Sequence, residues 1–174
     1  MKNIVLLLLF MAAGLPLYKP VRDKSVVQFS IKNFGISVSG TLTGLEGNIL
    51  FDPAHPEQAS FNVSIPSASV NTDNELRDSH LKNETYFDAV HYPLITFVST
   101  RVTSGQQGLL NAFGNLTIKN HTRELLLPFT AATTGNGYLF TGQFSINRKD
   151  FGIGGTSIIG DTATIHLSVY ASNK

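Results

Sequence analysis

Residues 73–91 hold the densest set of groups that could do chemistry. Of the chain's 13 Lys and Arg and 12 Asp and Glu residues, seven fall here: Asp73, Glu75, Arg77, Asp78, Lys82, Glu84 and Asp88. His80 and His91 lie among them. Carboxylates beside imidazoles can move protons, hold a metal ion or grip a polar head group. They can also form an internal polar network that pins a segment in place. His80 and His91 are eleven residues apart, which fits no standard zinc pattern, so no metal is assigned. An enzyme acting on a lipid or small molecule through this Asp73–His91 cluster is the alternative reading.

Other motifs carry less. The Asp150-Phe151-Gly152 triplet lacks the glycine-rich loop, lysine strand and catalytic loop that would make it a kinase element. Gly152-Ile153-Gly154-Gly155 lies in a turn and not between a strand and a helix, so it is no dinucleotide fingerprint. No serine sits in a Gly-x-Ser-x-Gly elbow, and no catalytic residue is assigned. His55, in the Asp-Pro-Ala-His-Pro-Glu run, reads as a turn residue.

Composition narrows the classes further. Charged residues make up 14% of 174, against about 25% in an average domain. The formal net charge of +1 and the absence of a Lys/Arg run exclude a nucleic-acid footprint. With no Cys there is no disulfide framework, thiol nucleophile or thiolate metal site. Residues 1–17 read as a signal peptide: Lys2, an apolar run from Ile4 to Ala13, then small residues, with cleavage about 14–17. The run is too short to span a bilayer, which takes about 20 residues. Residues 18–174 then form one domain, periplasmic or secreted, without stable membrane insertion after processing.

Beyond residue 20 the dominant period is two. Phe29 and Ile31 alternate with Ser30 and Lys32, and Ile36 and Val38 with Ser37 and Ser39. Ile49 and Phe51 continue that second run after a glycine kink at 44–47. Phe61, Val63 and Ile65 follow, then Ile95 and Phe97, and later Tyr138, Phe140, Phe144 and Ile146. The count is eight strands, each with one apolar face, with a helical excursion at about 72–90 between strands three and four. Thr72 or Asp73 can cap its start, and Tyr86 and Phe87 can lie over an opening. One short helix cannot cover eight apolar faces, so the sheet must cover itself as a sandwich or a closed barrel. Eight strands make a barrel that side chains just fill, or that holds one small ligand. Periodicity leaves that choice open.

The chain is similar to the YceI family over Ser25 to Ala171. The resemblance rests on VQFSIKNFG at 27–35, GNILFDPAHPEQASFNVSIPSASVNT at 47–72, RDSHLKNETYFDAVHYPLITFVST at 77–100 and GNLTIKNHTRELLLPF at 114–129. NRKDFGI and IGDTATIHLSVYA complete it. Asn33 and Lys24 depart from it, standing where the family often has His. The resemblance implies an all-β, eight-stranded antiparallel lipocalin-like barrel that holds an isoprenoid-type lipid and needs no cofactor. It implies an apolar interior to which the in-phase residues Phe29, Ile31, Val38, Phe61, Val63, Phe97, Phe113, Phe129, Phe140 and Phe144 are assigned. Arg77, Asp78, His80 and Phe87 are assigned to the mouth or lid. A packed barrel that works through a surface partner is a third reading, and a homodimer stays open.

Overall fold

The computed structural model describes residues 14–156 and 158–173; most of the sequence read as a signal peptide, residues 1–13, lies outside them. The described strands are β1 (Leu17–Asn33), β2 (Ile36–Leu42), β3 (Glu46–Leu50), β4 (Ser60–Pro66), β5 (Leu94–Ser104), β6 (Leu110–Ile118), β7 (His121–Thr134), β8 (Gly137–Asn147) and β9 (Ile159–Ser172). One helix, α1 (Glu75–Lys82), lies between β4 and β5. Every pairing is antiparallel, and β1 pairs with β9 to close the sheet on itself.

Nine strands build eight staves. β2 and β3 are the two halves of one stave, broken at 43–45, and both pair with β1: Val27 to Asn33 on β2, Leu17 and Tyr18 on β3. The glycine kink is real, since Gly44 and Gly47 have φ of +80° and +133°, which a β-carbon would oppose. The expected eight-stranded lipocalin-like barrel is therefore present, with its helical excursion between the third and fourth staves.

The structure adds the start of β1 and corrects the helix cap. β1 begins at Leu17, ten residues before the alternation becomes clean, because the charged stretch Val21–Lys24 bulges out of register with β9 between Pro20 and Ser25. The helix cap is Asn74, whose side chain accepts from the Arg77 N–H. Thr72 and Asp73 do not cap it. Asp73 has φ of +56°, and Thr72 is held by Asp78.

The two ends of the barrel differ. At the end holding the β3–β4, β5–β6 and β7–β8 connections, six rings pack edge to face. Tyr18 meets Tyr138 at 5.3 Å, Phe51 meets Tyr138 at 5.0 Å and Phe140 at 5.1 Å, and Phe61 meets Phe140 at 5.7 Å and Phe129 at 5.3 Å. Such pairs add about 0.5–1.5 kcal/mol each beyond their burial. Phe51, Val102 and Ala171 are completely buried there. The opposite end carries the β1–β2 and β6–β7 turns, the α1 segment and the β8–β9 loop.

Candidate functional site

The alternation of each strand sends one set of side chains inward, and between the aromatic floor and the α1 segment they leave space. The cavity measures about 230 Å³. Among its lining residues only Thr96, Thr141, Tyr86 and Arg148 bring a polar side-chain group. Water in such a space would find few partners, whereas a hydrocarbon would lose none.

Eight of the ten interior residues expected from sequence line it: Phe29, Ile31, Phe61, Val63, Phe97, Phe129, Phe140 and Phe144. Phe61, Phe129 and Phe140 serve twice, as cavity wall and as part of the floor. Phe113 does not line it. On β6 the buried positions are Ala112, Gly114, Leu116 and Ile118, so Phe113 has the opposite parity. Its ring lies outside under the Arg101 guanidinium, 4.1 Å from centroid to cation. Val38 does not line it either. It opposes Ile31 across β1–β2, but β2 has only one bridge on its far side, Thr41 to Asn71.

Much of the wall is aliphatic and was not among the residues assigned to the interior. Leu116, Ile118, Leu125, Leu127, Ile146, Ile165, Leu167 and Val169 all face the space. The alternation that picks out Phe144 also picks out Ile146, so the signal was present in the sequence.

The lid runs from Ser67 to Pro93. Leu81, Tyr86 and Phe87 face the cavity from it, so of the four residues assigned to the mouth only Phe87 is on the wall. Arg77 and Asp78 turn instead on Thr72. Asp78 accepts from the Thr72 N–H at 2.9 Å and its hydroxyl at 2.5 Å. Arg77 donates to the Thr72 hydroxyl and carbonyl, both at 2.7 Å. His80 is exposed. A second pair, Asp88 and His91 at 2.7 Å, holds the return. Arg77, Asp78, Asp88 and His91 thus pin a segment that lies outside the staves. Among the described residues, no three His, Asp or Glu side chains converge to hold a metal ion.

The far end of the lid is tied to neighbouring loops. Lys119 donates to the Glu84 carbonyl at 3.0 Å and Gly154 to the Thr85 carbonyl at 2.8 Å. The β8–β9 loop is organised around Arg148, which sequence reading passed over. Its guanidinium is 3% exposed as a residue and donates to the carbonyls of Ile153, Gly155, Ile159 and Gly160 and to Asp161. The second Asp161 oxygen takes Lys149 at 2.8 Å, and that hydrogen bond holds the carboxyl below the usual carboxylate range. Arg148 was legible only as a charge in a glycine-rich loop.

A closed antiparallel barrel with an aromatic floor, an apolar cavity and a pinned lid defines a lipocalin-like ligand-cavity fold. Within that class the chain belongs to the YceI-like domain family, whose sequence profile matches residues 18–171. A UPF0312 protein of Pseudomonas savastanoi is 32% identical over 155 residues, covering 85% of this chain and 81% of the relative. One from Pseudomonas fluorescens is 36% identical over 138 residues, covering 72% and 70%. Burkholderia cenocepacia BcnA has the same fold at a TM-score of 0.81 and 29% identity, covering 86% of this chain and 98% of its own. A polyisoprenoid-binding domain from Saccharophagus degradans shares the fold alone, with a TM-score of 0.72 at 13% identity over 89% and 97%.

Proposed function

We propose that the chain binds the tail of an isoprenoid-type amphiphile, polyprenyl or quinone-like, in the barrel cavity, and carries, stores or shields it without transforming it. The cavity carries the reading: it is closed at one end by rings packed edge to face, covered at the other by a lid, and almost wholly apolar. The Saccharophagus domain of the same fold, described as polyisoprenoid-binding, supports the ligand class.

Magnitudes assign the roles. Each buried CH₂ is worth about 0.8 kcal/mol, so three isoprenoid units of five carbons give roughly 12 kcal/mol gross. Ordering of tail and lid offsets much of this. A single rim hydrogen bond adds about 1 kcal/mol. The tail sets affinity; the rim sets orientation. The enzyme alternative would need free acid–base groups beside the ligand, and Arg77 and Asp78 are engaged with Thr72 instead.

The proposal includes an address: export by residues 1–17 and action in the periplasm or outside the cell. Cleavage after Gly14 would leave β1 whole, including the hydrogen bond from the Phe51 N–H to the Pro16 carbonyl. Native mass spectrometry of the mature chain purified without detergent, followed by organic extraction, tests the function. An extractable mass bound one per chain, or shared across a dimer, is the expected result. A clean unliganded mass that also takes up no added prenyl lipid would overturn it.

A further inference from the structure

The apolar residues most exposed to solvent gather at one end. Among the described residues five large apolar side chains are 66% exposed or more: Val90 at 86%, Phe34 at 77%, Ile36 at 71%, Leu76 at 68% and Ile158 at 66%. No other passes 48%. All five sit at the lid end: Phe34 and Ile36 at the β1–β2 turn, Ile158 before β9, Leu76 on α1 and Val90 on the lid's return. Asn33 pairs with both Ile36 and Ile159, so the first three are neighbours.

Phe34 breaks a local rule. Its turn has two central residues, both at positive φ, Phe34 at +50° and Gly35 at +79°. That hairpin pattern favours Asn-Gly or Asp-Gly, and a bulky side chain there is disfavoured. Here a phenylalanine occupies the position and points its ring at water. Folding gains nothing from this, and a rule broken without a packing return marks a functional position.

We propose that this crown docks on a lipid bilayer, the source and destination of the tail, and brings the lid end of the cavity to the membrane surface. The inference rests on the tail-binding reading. Several observations favour a bilayer over a second protein. The side chains are spread over the β1–β2 turn, the β8–β9 loop, α1 and the lid's return, where a protein partner would need a continuous packed face. They are continuous with the cavity: Ile31, Leu81, Phe87 and Ile159 line it within a few residues of Phe34, Leu76, Val90 and Ile158. The lid-end segments at 32–37, 67–93, 118–123 and 147–161 hold as many Lys and Arg as Asp and Glu, so there is no field to select an anionic or cationic partner. Apolar side chains on a neutral rim suit shallow insertion at the head-group boundary.

The chain has no cysteine, so one introduced thiol takes one dye. The mature chain carrying Phe34→Cys with an environment-sensitive dye is mixed with phosphatidylcholine vesicles, with and without phosphatidylglycerol. Leu109→Cys, on the β5–β6 loop at the other end, is the control. The expected result is a blue shift at 34 and none at 109, on neutral vesicles and in high salt. Phe34→Asn with Ile158→Ser should cut flotation with vesicles at least tenfold. Phe34→Asn relieves the turn, so its melting temperature should hold or rise, and the loss cannot be put down to unfolding. Equal shifts at both positions, binding that needs anionic lipid and fails in salt, or no binding would overturn the proposal. So would a dimer that Phe34→Asn splits, which would make the crown a protein interface. Vesicle binding by a chain that never takes up a tail would instead refute the proposed function and leave docking standing.

Discussion

The ring of Phe97 occupies the room that a side chain at Gly114 would need: a β-carbon at 114 would lie 2.7 Å from the ring and 2.5 Å from the Val98 carbonyl. The two strands thus trade a side chain on β6 for a full ring on β5 at the cavity wall. Phe29 and Gly40, opposed on β1 and β2, repeat the arrangement, with 2.5 Å between a β-carbon at 40 and the ring.

Gly114→Ala should therefore cost about 1–3 kcal/mol, the range for overpacking a well-filled site. Chemical denaturation measures it. Phe97 lines the cavity, so prenyl-tail binding should weaken in the same variant.

Position on the wall, not aromatic character, should decide ligand retention. Phe97→Asp places a carboxylate in the apolar space and should abolish retention, measured by extraction and mass spectrometry. Phe113→Ala should leave retention intact and cost about 0.5–1 kcal/mol, the worth of an exposed cation–π contact with Arg101.

Arg77→Ala should keep the tail and loosen the lid. It removes two hydrogen bonds to Thr72, which together contribute about 1–3 kcal/mol. Hydrogen exchange should quicken across 72–93 while the extracted lipid stays near stoichiometric. A folded Arg77→Ala protein that came out empty would reverse the assignment of affinity to the tail.

Arg148→Met should be the most damaging single change outside the floor. It strips the partner from four carbonyls and a carboxylate, and losses of about 3–5 kcal/mol follow when a buried charged network is broken. The pH dependence has a defined sign. Asp161 has a lowered pKa in the folded state, so its contribution is present above the ordinary carboxylate range and is lost as pH falls through the folded value. Asp161→Asn should flatten the acid limb of the stability curve, read from melting temperatures across the acidic range.

Cavity size sets an expected tail length. A cavity of 230 Å³ bounds the tail that fits with the lid in place. Short prenyl alcohols should bind best in calorimetric titration. Longer tails should bind only with faster exchange in the lid.

The staves were legible because burial of one face imposes a period of two on each strand, and Gly44 and Gly47 announced the broken one. The start of β1 was not, since Lys19, Pro20, Arg22 and Asp23 mask the alternation while the backbone still pairs. Phe113 was misplaced because Ala112 and Gly114 hold the inner face of β6 with almost no side chain. Whether the interior was packed or hollow could not be read from residue types. Phe129 and Phe140 border both the solid floor and the empty space, and only three-dimensional spacing separates the two roles.

The aromatic floor has a consequence for traffic. A barrel sealed by Tyr18, Phe51, Tyr138 and Phe140 at one end is a vessel with a single door. A tail that enters there must back out the same way, head group first. Such a protein cannot act as a conduit joining donor to acceptor, because both need the same face and must take turns. Delivery by it would be a shuttle, with the protein released from one surface before it meets the next.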